Sequence, residues 1–435
     1  MSRLEPGWLA EPAVRRLLAA LAAGGVEVRF VGGCVRDALL GIETGDIDLA
    51  TPARPEAVMA ALVAAKIKAL PTGLAHGTVT AVVAPRHFEI TTLRRDVETD
   101  GRHAVVAFDA GWAEDAARRD FTINAIYLAP DGTLYDPVSG RADLMARRVR
   151  FIGEPATRVA QDLLRVLRYY RFEARFGSGE GDKAARAACH AAANGLPLLS
   201  AERIWRELSG LLLTDDVVRV LGLMRKDGVL RLLLPEATRL DRLQKLIDTV
   251  EHCFGPREAV PNADQAPGKA VTKKPFPREL LLRLEALIDF GRTPASAVAD
   301  RLKLPSAERK RLQQFSAVWS ALNRHDDVHE MRTHLFLFGG DHSRDIPLIA
   351  AAERRVSVKK RSELLRLAEE QPRHFPLNGN DVSDFGVNPG PEVGELLNKV
   401  RRWWAEQGFA PNRAGCLERL RLEIARSETN SGSSG

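Results

Sequence analysis

Residues 30–50 read FVGGCVRDALLGIETGDIDLA, and this stretch predicts how the first part of the chain folds. It indicates a strand, a glycine turn, a short helix and a second strand that opens with Asp46 and Asp48. Because residues two apart on a strand point to the same face, the two carboxylates crowd together. They repel each other unless a cation lies between them, and hard oxygen ligands of this kind suit Mg²⁺. The stretch therefore predicts a metal-dependent nucleotidyl or phosphoryl transferase.

The residues before the aspartates are suited to phosphate binding. Gly32 and Gly33 predict a turn without Cβ atoms, which lets a phosphate approach the backbone and the start of the helix. Arg36 follows closely enough to pair with that phosphate. Paired aspartates alone are common on protein surfaces, but the preceding pattern GGxVRD makes the catalytic interpretation much more specific. The implied mechanism uses two Mg²⁺ ions, one to activate the attacking hydroxyl and one to stabilise the leaving pyrophosphate.

Glu89 lies on a strand of a predicted hairpin, in the segment FEITTLR. It is a candidate third acidic ligand for the metal. A strand-edge carboxylate paired with Arg94 explains it equally well, so both interpretations stay open.

Length and composition place the chain among ordinary globular proteins of several domains. It has 435 residues, of which 45% are hydrophobic and 28% are charged. A chain of this length is expected to form roughly three or four domains. No transmembrane run or signal peptide is recognisable, and the four cysteines are scattered, which favours a reducing cytoplasm. The net charge of +6 and the pI of about 9.2 mildly favour a polyanionic partner.

The pattern of the chain changes near residue 150. Before it, short β-prone runs alternate with helices, including a predicted hairpin over 78–92, strands over 121–128 and 133–135, and a charged, mobile loop over 94–108. After it, helix follows helix, beginning with an amphipathic helix over 157–175. We therefore predict an α+β fold with a short mixed sheet in the first part and only helices afterwards.

A second motif, RRDFTINA at 118–125, follows the predicted metal site. Guanidinium groups bind phosphate bidentately, so Arg118 and Arg119 suit triphosphate oxygens. Asp120 would accept a hydrogen bond from a ribose hydroxyl and so select ribonucleotides. The alternative is an ordinary charged loop before a buried strand.

A third motif lies on the predicted 157–175 helix. Asp162 and Arg165 are three residues apart and so are neighbours on a helix surface, away from its apolar face. They form either a solvent-exposed ion pair or a template for a base, in which Asp162 accepts from an exocyclic amino group and Arg165 donates to the adjacent ring nitrogen. Cytosine and adenine offer that pair of groups, whereas guanine and uracil present a carbonyl oxygen to Asp162. The pair would therefore select CTP and ATP.

Seven segments, in chain order, resemble the motif series of class II tRNA nucleotidyltransferases (CCA-adding enzymes) and bacterial poly(A) polymerases. They are GGCVRD, GDIDLA, DGRH, RRDFTINAIYL, YDPVSG, QDLLRVLRYYRF and AERIWREL. The match covers Phe30 to about Pro235, and Leu377–Gly394 resembles the family's C-terminal segment. The resemblance implies a seahorse-like order of parts with a polymerase-β-like nucleotidyltransferase head. It also implies addition of C, C and A to the tRNA 3′ end from CTP and ATP with Mg²⁺, without a nucleic-acid template.

The resemblance also assigns parts and residues. The implied parts are a catalytic head at 1–150, a neck with a nucleotide-selecting helix at 151–213, a body at 214–330 and a tRNA-binding tail at 331–426. Composition, not the resemblance, predicts a flexible insertion or linker at 255–278, which is rich in proline, and a disordered Ser/Gly-rich end at 427–435. The metal-binding pair is Asp46 and Asp48. The implied nucleotide contacts are Gly33, Arg36, Arg119, Asp120, Asn124, Asp162, Arg165, Arg168 and Arg171. Glu202-Arg203 matches a motif that supports the templating helix.

One departure from the family pattern concerns base selection. The family usually has glutamate before the selecting aspartate, whereas this chain has Gln161. The resemblance implies that the usual glutamate orients the arginine. Gln161 still accepts a hydrogen bond, but without a charge.

Alternatives remain within and outside the family. The loop over 94–108 disfavours a CC-only enzyme, and the neutral C-terminus places full CCA addition before A-adding or poly(A) activity. His325-Asp326 is a lone pair that we interpret as surface residues, not as a phosphohydrolase motif. A non-catalytic RNA-binding protein would have no need of the aspartates, and a Rossmann oxidoreductase would need GxGxxG. We expect no membrane association and no obligate protein partner.

The helical half is expected to bind RNA through basic residues, although a solvated helix face explains each of them as well. The candidates are Arg354, Arg355, Lys359, Lys360, Arg361, Arg401 and Arg402. Trp403-Trp404 lie within a helical pattern and are predicted to be core or interface residues. The segment 386–394 presents either helix amides to a tRNA phosphate or an ordinary Pro-Gly turn.

Overall fold

The computed structural model describes residues 3–73, 77–99, 104–108, 110–254, 279–322, 327–339, 344–353, 356–370 and 373–431. These residues form two compact units, one up to Pro235 and one from Glu236 onward. The division falls inside the predicted body, not at its start. Four predictions lie outside the described residues: DGRH at 100–103, the insertion at 255–278, the His325-Asp326 pair, and Arg354 and Arg355.

The first unit contains a seven-stranded mixed sheet. Its strands are β1 (Arg29–Val31), β2 (Ile47–Thr51), β3 (Lys68–Gly73), β4 (Thr78–Val83), β5 (Arg86–Thr92), β8 (Tyr127–Leu128) and β9 (Leu134–Tyr135). Their order across the sheet is β3-β4-β5-β2-β1-β8-β9. The β2–β5 pair is parallel and places Asp48 opposite Glu89, whereas the other pairs are antiparallel. The predicted hairpin over 78–92 is confirmed by β4 and β5.

Two predictions for the first unit were wrong. The predicted loop over 94–108 contains a two-stranded antiparallel ribbon of β6 (Arg95–Thr99) and β7 (Ala104–Ala107). The predicted strand over 121–128 is mostly irregular: Thr122–Asn124 form a 3₁₀ turn, and only Tyr127 and Leu128 are strand. Local bonds explain the turn, since the amide of Asn124 donates to the carbonyl of Phe121 at 3.0 Å.

The other elements of the first unit are helices, which lie between the strands in the sequence and follow the last strand, β9. The first unit contains α1 (Pro12–Ala23), α2 (Gly33–Leu39), α3 (Pro55–Ala64), α4 (Trp112–Arg118), α5 (Gly140–Met145), α6 (Pro155–Gln161), α7 (Leu164–Phe176), α8 (Lys183–Ala192), α9 (Ala201–Leu212), α10 (Val217–Lys226) and α11 (Val229–Leu233). Helix α1 begins at a proline, which suits the first helical position, and it buries Val14, Leu17 and Leu21 on one face. It packs against α3 and β4. Among the described residues, every element after β9 is helical, which confirms the predicted α+β fold.

The predicted helix over 157–175 is two helices, so the prediction of one continuous helix was wrong. Helix α6 ends at Gln161, and Asp162 is extended, with φ −154° and ψ 109°. Helix α7 begins at Leu164, and the carboxylate of Asp162 accepts the amide of Leu164 at 3.0 Å. An aspartate side chain that satisfies a backbone amide in this way competes with the helical hydrogen bond. The break sets the direction of the two residues that were predicted to read the base.

The second unit is helical throughout its described residues. It contains α12 (Leu240–Phe254), α13 (Glu279–Leu287), α14 (Ala295–Arg301), α15 (Ser306–Leu322), α16 (Val328–His334), α17 (Asp345–Ala351), α18 (Val358–Glu369), α19 (Gly379–Ser383), α20 (Pro391–Glu406) and α21 (Arg413–Ser431), with a π-helical turn at Leu335–Gly339. Trp404 lies in a buried cluster with Val400 and Phe409, and Trp403 packs against that cluster, which confirms the predicted core role. Helix α21 runs to Ser431, so the prediction of a disordered end from residue 427 was wrong for 427–431.

Three cysteine thiols of the described residues are buried and form no disulfide bond. Cys34, Cys189 and Cys416 are free, and burial raises the pKa of the Cys34 thiol to about 12. Over the described residues, no helix is both long and apolar enough to cross a membrane.

Candidate active site

The predicted metal-binding aspartates lie at the start of β2. Asp46 directly precedes the strand and is exposed, while Asp48 is half-buried between Ile47 and Leu49, each 1% exposed. Burial, together with the negative charges of Glu89 and Asp46, raises the pKa of Asp48 to about 6, while Arg119 opposes them. Negative charge at this point is therefore poorly compensated by the protein itself.

Glu89 lies beside Asp48 on the parallel strand β5. In the part of the chain that the structure describes, no three acidic, histidine or cysteine side chains converge to hold a metal ion. An ion bound here would take part of its oxygen shell from a substrate or from water, as Mg²⁺ commonly does. A role for Glu89 as third ligand stays a prediction.

The glycine turn between β1 and α2 has the backbone that was predicted for phosphate approach. Gly32 adopts φ 79° and ψ −130°, which a residue with a Cβ adopts only with strain. The position of a Cβ at Gly32 would lie 3.9 Å from Nη1 of Arg119. The turn therefore passes close to a second predicted phosphate ligand.

Arg36 is more enclosed than the sequence indicated. It is 5% exposed and lies over the ring of Phe176, with its guanidinium 4.1 Å from the ring centroid. Its Nε donates to Asp37 at 2.8 Å, and its Nη1 donates to Oδ1 of Asn124 at 2.6 Å. Burial lowers its pKa, and Asp37 opposes that effect. Arg36 thus joins the glycine turn to the 118–125 motif, and a direct phosphate contact stays a prediction.

Arg119 is held by a group that sequence reasoning missed. Its Nη2 donates to Oδ2 of Asp115 at 3.1 Å, and its Nε lies 3.3 Å from the hydroxyl of Tyr127. Asp115 also accepts from Arg118 at 2.8 Å and from Tyr127 at 2.8 Å. Burial would raise the pKa of Asp115, but Arg119 and Arg118 hold it below its ordinary value. The signal for Asp115 was its spacing of three and four residues from the arginines.

Asp120 is a structural acceptor in this structure. Its Oδ1 accepts the amide of Phe121 at 2.8 Å and Nδ2 of Asn124 at 3.1 Å. Its Oδ2 accepts Nε of Arg168 at 2.9 Å. Burial would raise the pKa of Asp120, but Arg168 outweighs it and lowers the pKa. Asp120 thus connects the head segment to α7, and its contact with a ribose stays a prediction.

Asp162 and Arg165 are not neighbours along one helix, so that part of the prediction was wrong. Asp162 lies in the break between α6 and α7, where Nη2 of Arg203 donates to both its carboxylate oxygens at 3.2 Å. Asp162 and Arg203 each keep 29% of their side chains exposed. This pairing agrees with the expected support of the templating helix by the Glu202-Arg203 motif.

Gln161 holds Arg165 through the hydrogen bond that its side chain was expected to retain. Its Oε1 accepts Nη1 of Arg165 at 2.7 Å and Nη1 of Arg158 at 2.6 Å. Nη1 of Arg165 also donates to the carbonyl of Arg158 at 2.8 Å. Neutral glutamine therefore serves as a shared acceptor for two arginines.

Arg168 and Arg171 line the same helix and share an acidic partner that was not predicted. Nε of Arg171 donates to Oε2 of Glu207 at 2.6 Å, and Nη1 of Arg168 lies 4.0 Å from Oε1 of that side chain. Glu207 is 4% exposed on α9, and both guanidiniums lie beside the ring of Phe172. Glu207 could not be found from sequence because it lies 36 residues from Arg171.

The described basic candidates of the second unit divide into exposed and packed residues. Lys359 and Arg402 are exposed. Arg361 donates to the carbonyl of Ala351 at 3.1 Å, and Arg401 lies over the ring of Phe336 at 4.8 Å. Lys360 is half-buried. RNA binding by any of them stays a prediction.

Comparison with family models gives two matches. Residues 28–150 match the poly A polymerase head domain. Residues 182–240 match a family described as a probable RNA and SrmB-binding site of polymerase A.

Full-length relatives are similar over most of the chain. The mouse protein named CCA tRNA nucleotidyltransferase 1, mitochondrial, is 35% identical over 393 residues, which are 88% of this chain and 84% of the relative. The CCA-adding enzyme of Geobacillus sp. strain WCH70 is 30% identical over 87% of this chain and 88% of its own length.

Solved structures have a similar fold. The crystal structure of the Bacillus stearothermophilus CCA-adding enzyme in complex with CTP has a TM-score of 0.69 and 27% identity, covering 97% of this chain and all of that one. The Thermotoga maritima CCA-adding enzyme complexed with tRNA has a TM-score of 0.68 over 98% of this chain, but at 19% identity it supports the fold alone.

Proposed function

This chain belongs to the family of CCA tRNA nucleotidyltransferases, and from that membership we propose that it adds C, C and A to the 3′ end of tRNA. The substrates would be CTP and ATP, and pyrophosphate would leave. The observation that carries the proposal is the pair Asp162 and Arg165, each held by a separate partner at the α6–α7 break. The names of the relatives and the CTP complex of a 27% identical enzyme support it.

Asp46 and Asp48 would hold Mg²⁺. The donor set fits, because Asp48 is half-buried opposite Glu89 and close to Asp46, and a cation would offset both the burial and the mutual repulsion of these carboxylates. Bound there, two Mg²⁺ ions would lower the pKa of the attacking 3′ hydroxyl and neutralise charge on the triphosphate. The protein contributes the position of the carboxylates, fixed by β2 and its pairing with β5.

Triphosphate binding would use the glycine turn and Arg119. Arg119 lies close to Gly32 and lowers the pKa of Asp48, so its charge acts on the same point as the aspartates. Asp115 and Tyr127 occupy one side of its guanidinium and fix its orientation. A planar guanidinium oriented in this way suits a phosphate better than a flexible lysine would. Gly33 and Arg36 would complete the contact or position it.

Base selection would use Asp162 as acceptor and Arg165 as donor. The helix break, not a shared helical face, presents the two groups. Asp162 would accept the exocyclic amino group of cytosine or adenine, and Arg165 would donate to the neighbouring ring nitrogen. Guanine and uracil would place a carbonyl oxygen against the carboxylate, and an unpaired polar contact of this kind is strongly rejected. Arg168 and Arg171 would contact the nucleotide from the following turns of α7.

Incorporation assays test the proposal directly. Purified protein would be incubated with tRNA lacking CCA, with Mg²⁺ and with each nucleoside triphosphate alone. We expect CTP to be added first, ATP to be added only after two C residues, and both additions to be lost in Asp46→Ala. Glu56→Ala removes an exposed carboxylate on α3 and serves as the matched control, with unchanged activity expected. If Asp46→Ala retained activity, the assignment of Asp46 as a metal ligand would be wrong.

The second candidate is A-adding or poly(A) activity, since the model that matches residues 28–150 is named for poly A polymerase. Long A tails on unrelated RNA in the same assay would favour it over CCA addition. A cytoplasmic location and the absence of an obligate protein partner stay predictions. Because the chain is a member of an enzyme family, a purely RNA-binding role is not carried further.

A further inference from the structure

Arg158 is a buried arginine that donates hydrogen bonds to segments that were assigned to the nucleotide. It is 8% exposed and lies in the last turn of α6. Its Nη2 donates to the backbone carbonyls of both Arg118 and Arg119, at the end of α4. Its Nη1 donates to Oε1 of Gln161 at 2.6 Å. One guanidinium therefore connects the triphosphate segment to the residue that holds Arg165.

Arg165 donates hydrogen bonds to both Gln161 and Arg158. Nη1 of Arg165 donates both to Oε1 of Gln161 at 2.7 Å and to the backbone carbonyl of Arg158 at 2.8 Å. Arg158 thus reaches Arg165 twice, through its side chain by way of Gln161 and through its own carbonyl. A displacement of the Arg158 side chain would therefore also displace Arg165, even before a nucleotide binds.

Burial makes this contact sensitive to the exact side chain. A cation removed from water must be hydrogen-bonded by the protein, or its burial is costly. The flat guanidinium of Arg158 reaches two carbonyl oxygens on one side and the Gln161 oxygen on the other. A lysine ammonium is a compact point charge on a flexible stem and does not reproduce that fork.

We propose that Arg158 is a positioning residue that fixes Arg165 relative to the triphosphate segment and so sets base discrimination. The proposal rests on the proposed function, because it requires Arg165 to contact the base. Arg158 would act on Arg165 through Gln161 and through the carbonyls of residues 118 and 119, without contacting the nucleotide itself. Displacements of about 1 Å in such supporting contacts are known to cost up to about a hundredfold in rate.

The test compares the ratio of kcat/KM for CTP to that for UTP in wild type and Arg158→Lys, with tRNA lacking CCA as acceptor. We expect the ratio to fall by about tenfold or more, since Arg165 would lose its fixed position. Arg219→Lys is the matched control. Arg219 also binds two carbonyls and a carboxylate oxygen, at 2.7, 3.0 and 2.9 Å, but it lies on α10 and none of its partners was assigned to the nucleotide. Its substitution should lower thermal stability and leave the ratio unchanged.

The outcomes separate the two proposals. A folded, active Arg158→Lys whose ratio stays within about twofold of wild type would overturn the positioning role. A wild-type protein that adds neither C nor A, or that does not discriminate, would instead overturn the proposed function. If Arg158→Lys does not fold, Gln161→Leu breaks the same connection at a half-exposed residue. Gln161→Leu should lower the ratio and Gln161→Glu should keep it; a retained ratio in Gln161→Leu would equally refute the role.

Discussion

Replacing Asp48 with asparagine should stabilise the metal-free protein at neutral pH while abolishing nucleotide addition. Burial and, after it, the negative charges of Glu89 and Asp46 raise the pKa of Asp48 from 3.8 to about 6. A folded-state pKa above the unfolded value means that the folded protein binds the proton more tightly, so ionising Asp48 costs stability. Asparagine has nearly the same volume and removes that cost.

The magnitude follows from the rise in pKa. A change from 3.8 to about 6 corresponds to about 3 kcal/mol at about 1.4 kcal/mol for each pH unit. Because the side chain is only half-buried, solvent screening reduces the expected gain to about 1–2 kcal/mol. Wild type loses this stability as the pH rises from about 3.8 to about 6, and Asp48→Asn does not. The difference between the two proteins should therefore be small in acid and complete above about pH 6.5.

Urea unfolding in the presence of EDTA would measure this difference at about pH 4.5 and about pH 7.5. Adding Mg²⁺ at the higher pH should stabilise wild type but not the variant, because only the folded wild type offers both carboxylates. Glu56→Gln removes an exposed carboxylate on α3 and should leave both the pH dependence and the stabilisation by Mg²⁺ as they are in wild type. A gain that is absent at the higher pH, or equal at both pH values, would refute the argument that Asp48 carries uncompensated charge.

Three further outcomes are expected. Glu89→Gln should lower the pKa of Asp48 by removing a neighbouring negative charge, so the acidic limb of the pH–activity profile should move to lower pH; an unmoved limb would contradict this. Arg165→Ala should weaken the selectivity for CTP and ATP over UTP and GTP by a larger factor than it raises the KM for each nucleoside triphosphate, measured with one nucleotide at a time. Unchanged selectivity would refute the template role. Asp115→Ala should destabilise the protein by about 3 kcal/mol in chemical unfolding, because it leaves the buried side of Arg118 and Arg119 without their shared acceptor; a loss below about 1 kcal/mol would show that the network is not stabilising.

The hairpin and the position of Asp48 on a strand could be predicted because their signals are local. The alternation over 78–92 with its Pro-Arg turn specifies the hairpin, and the β-prone run after Gly45 predicts the strand that carries Asp48. The ribbon of β6 and β7 was missed because the charged residues of RDVET conceal the strand character of β6, and its partner strand begins only at Ala104.

The break at Asp162 could not be predicted because the apolar pattern continues through it. Val159, Leu163 and Val166 keep helical spacing, so periodicity alone favours one helix. At the break, the Asp162 carboxylate accepts hydrogen bonds from the amide of Leu164 and from Arg203. A side chain that replaces a helical acceptor leaves no trace in hydrophobic periodicity.

The partners of the arginines were the other part that sequence could not supply. The Arg168–Asp120 pair spans 48 residues, and the Arg158 bonds to the carbonyls of residues 118 and 119 span about 40. Such pairings depend on how α4, α6 and α7 pack, not on local spacing. The sequence did predict Arg168 as a nucleotide contact, but it gave no role to Arg158.

Sequencing the ends of the reaction products measures whether C, C and A are added selectively. A tRNA lacking CCA would be incubated with all four nucleoside triphosphates at equal concentration, Mg²⁺ and the purified protein. We expect the tRNA to gain C, C and A in that order and extension then to stop. Tails of A alone, or incorporation of U or G at rates comparable with C, would contradict it.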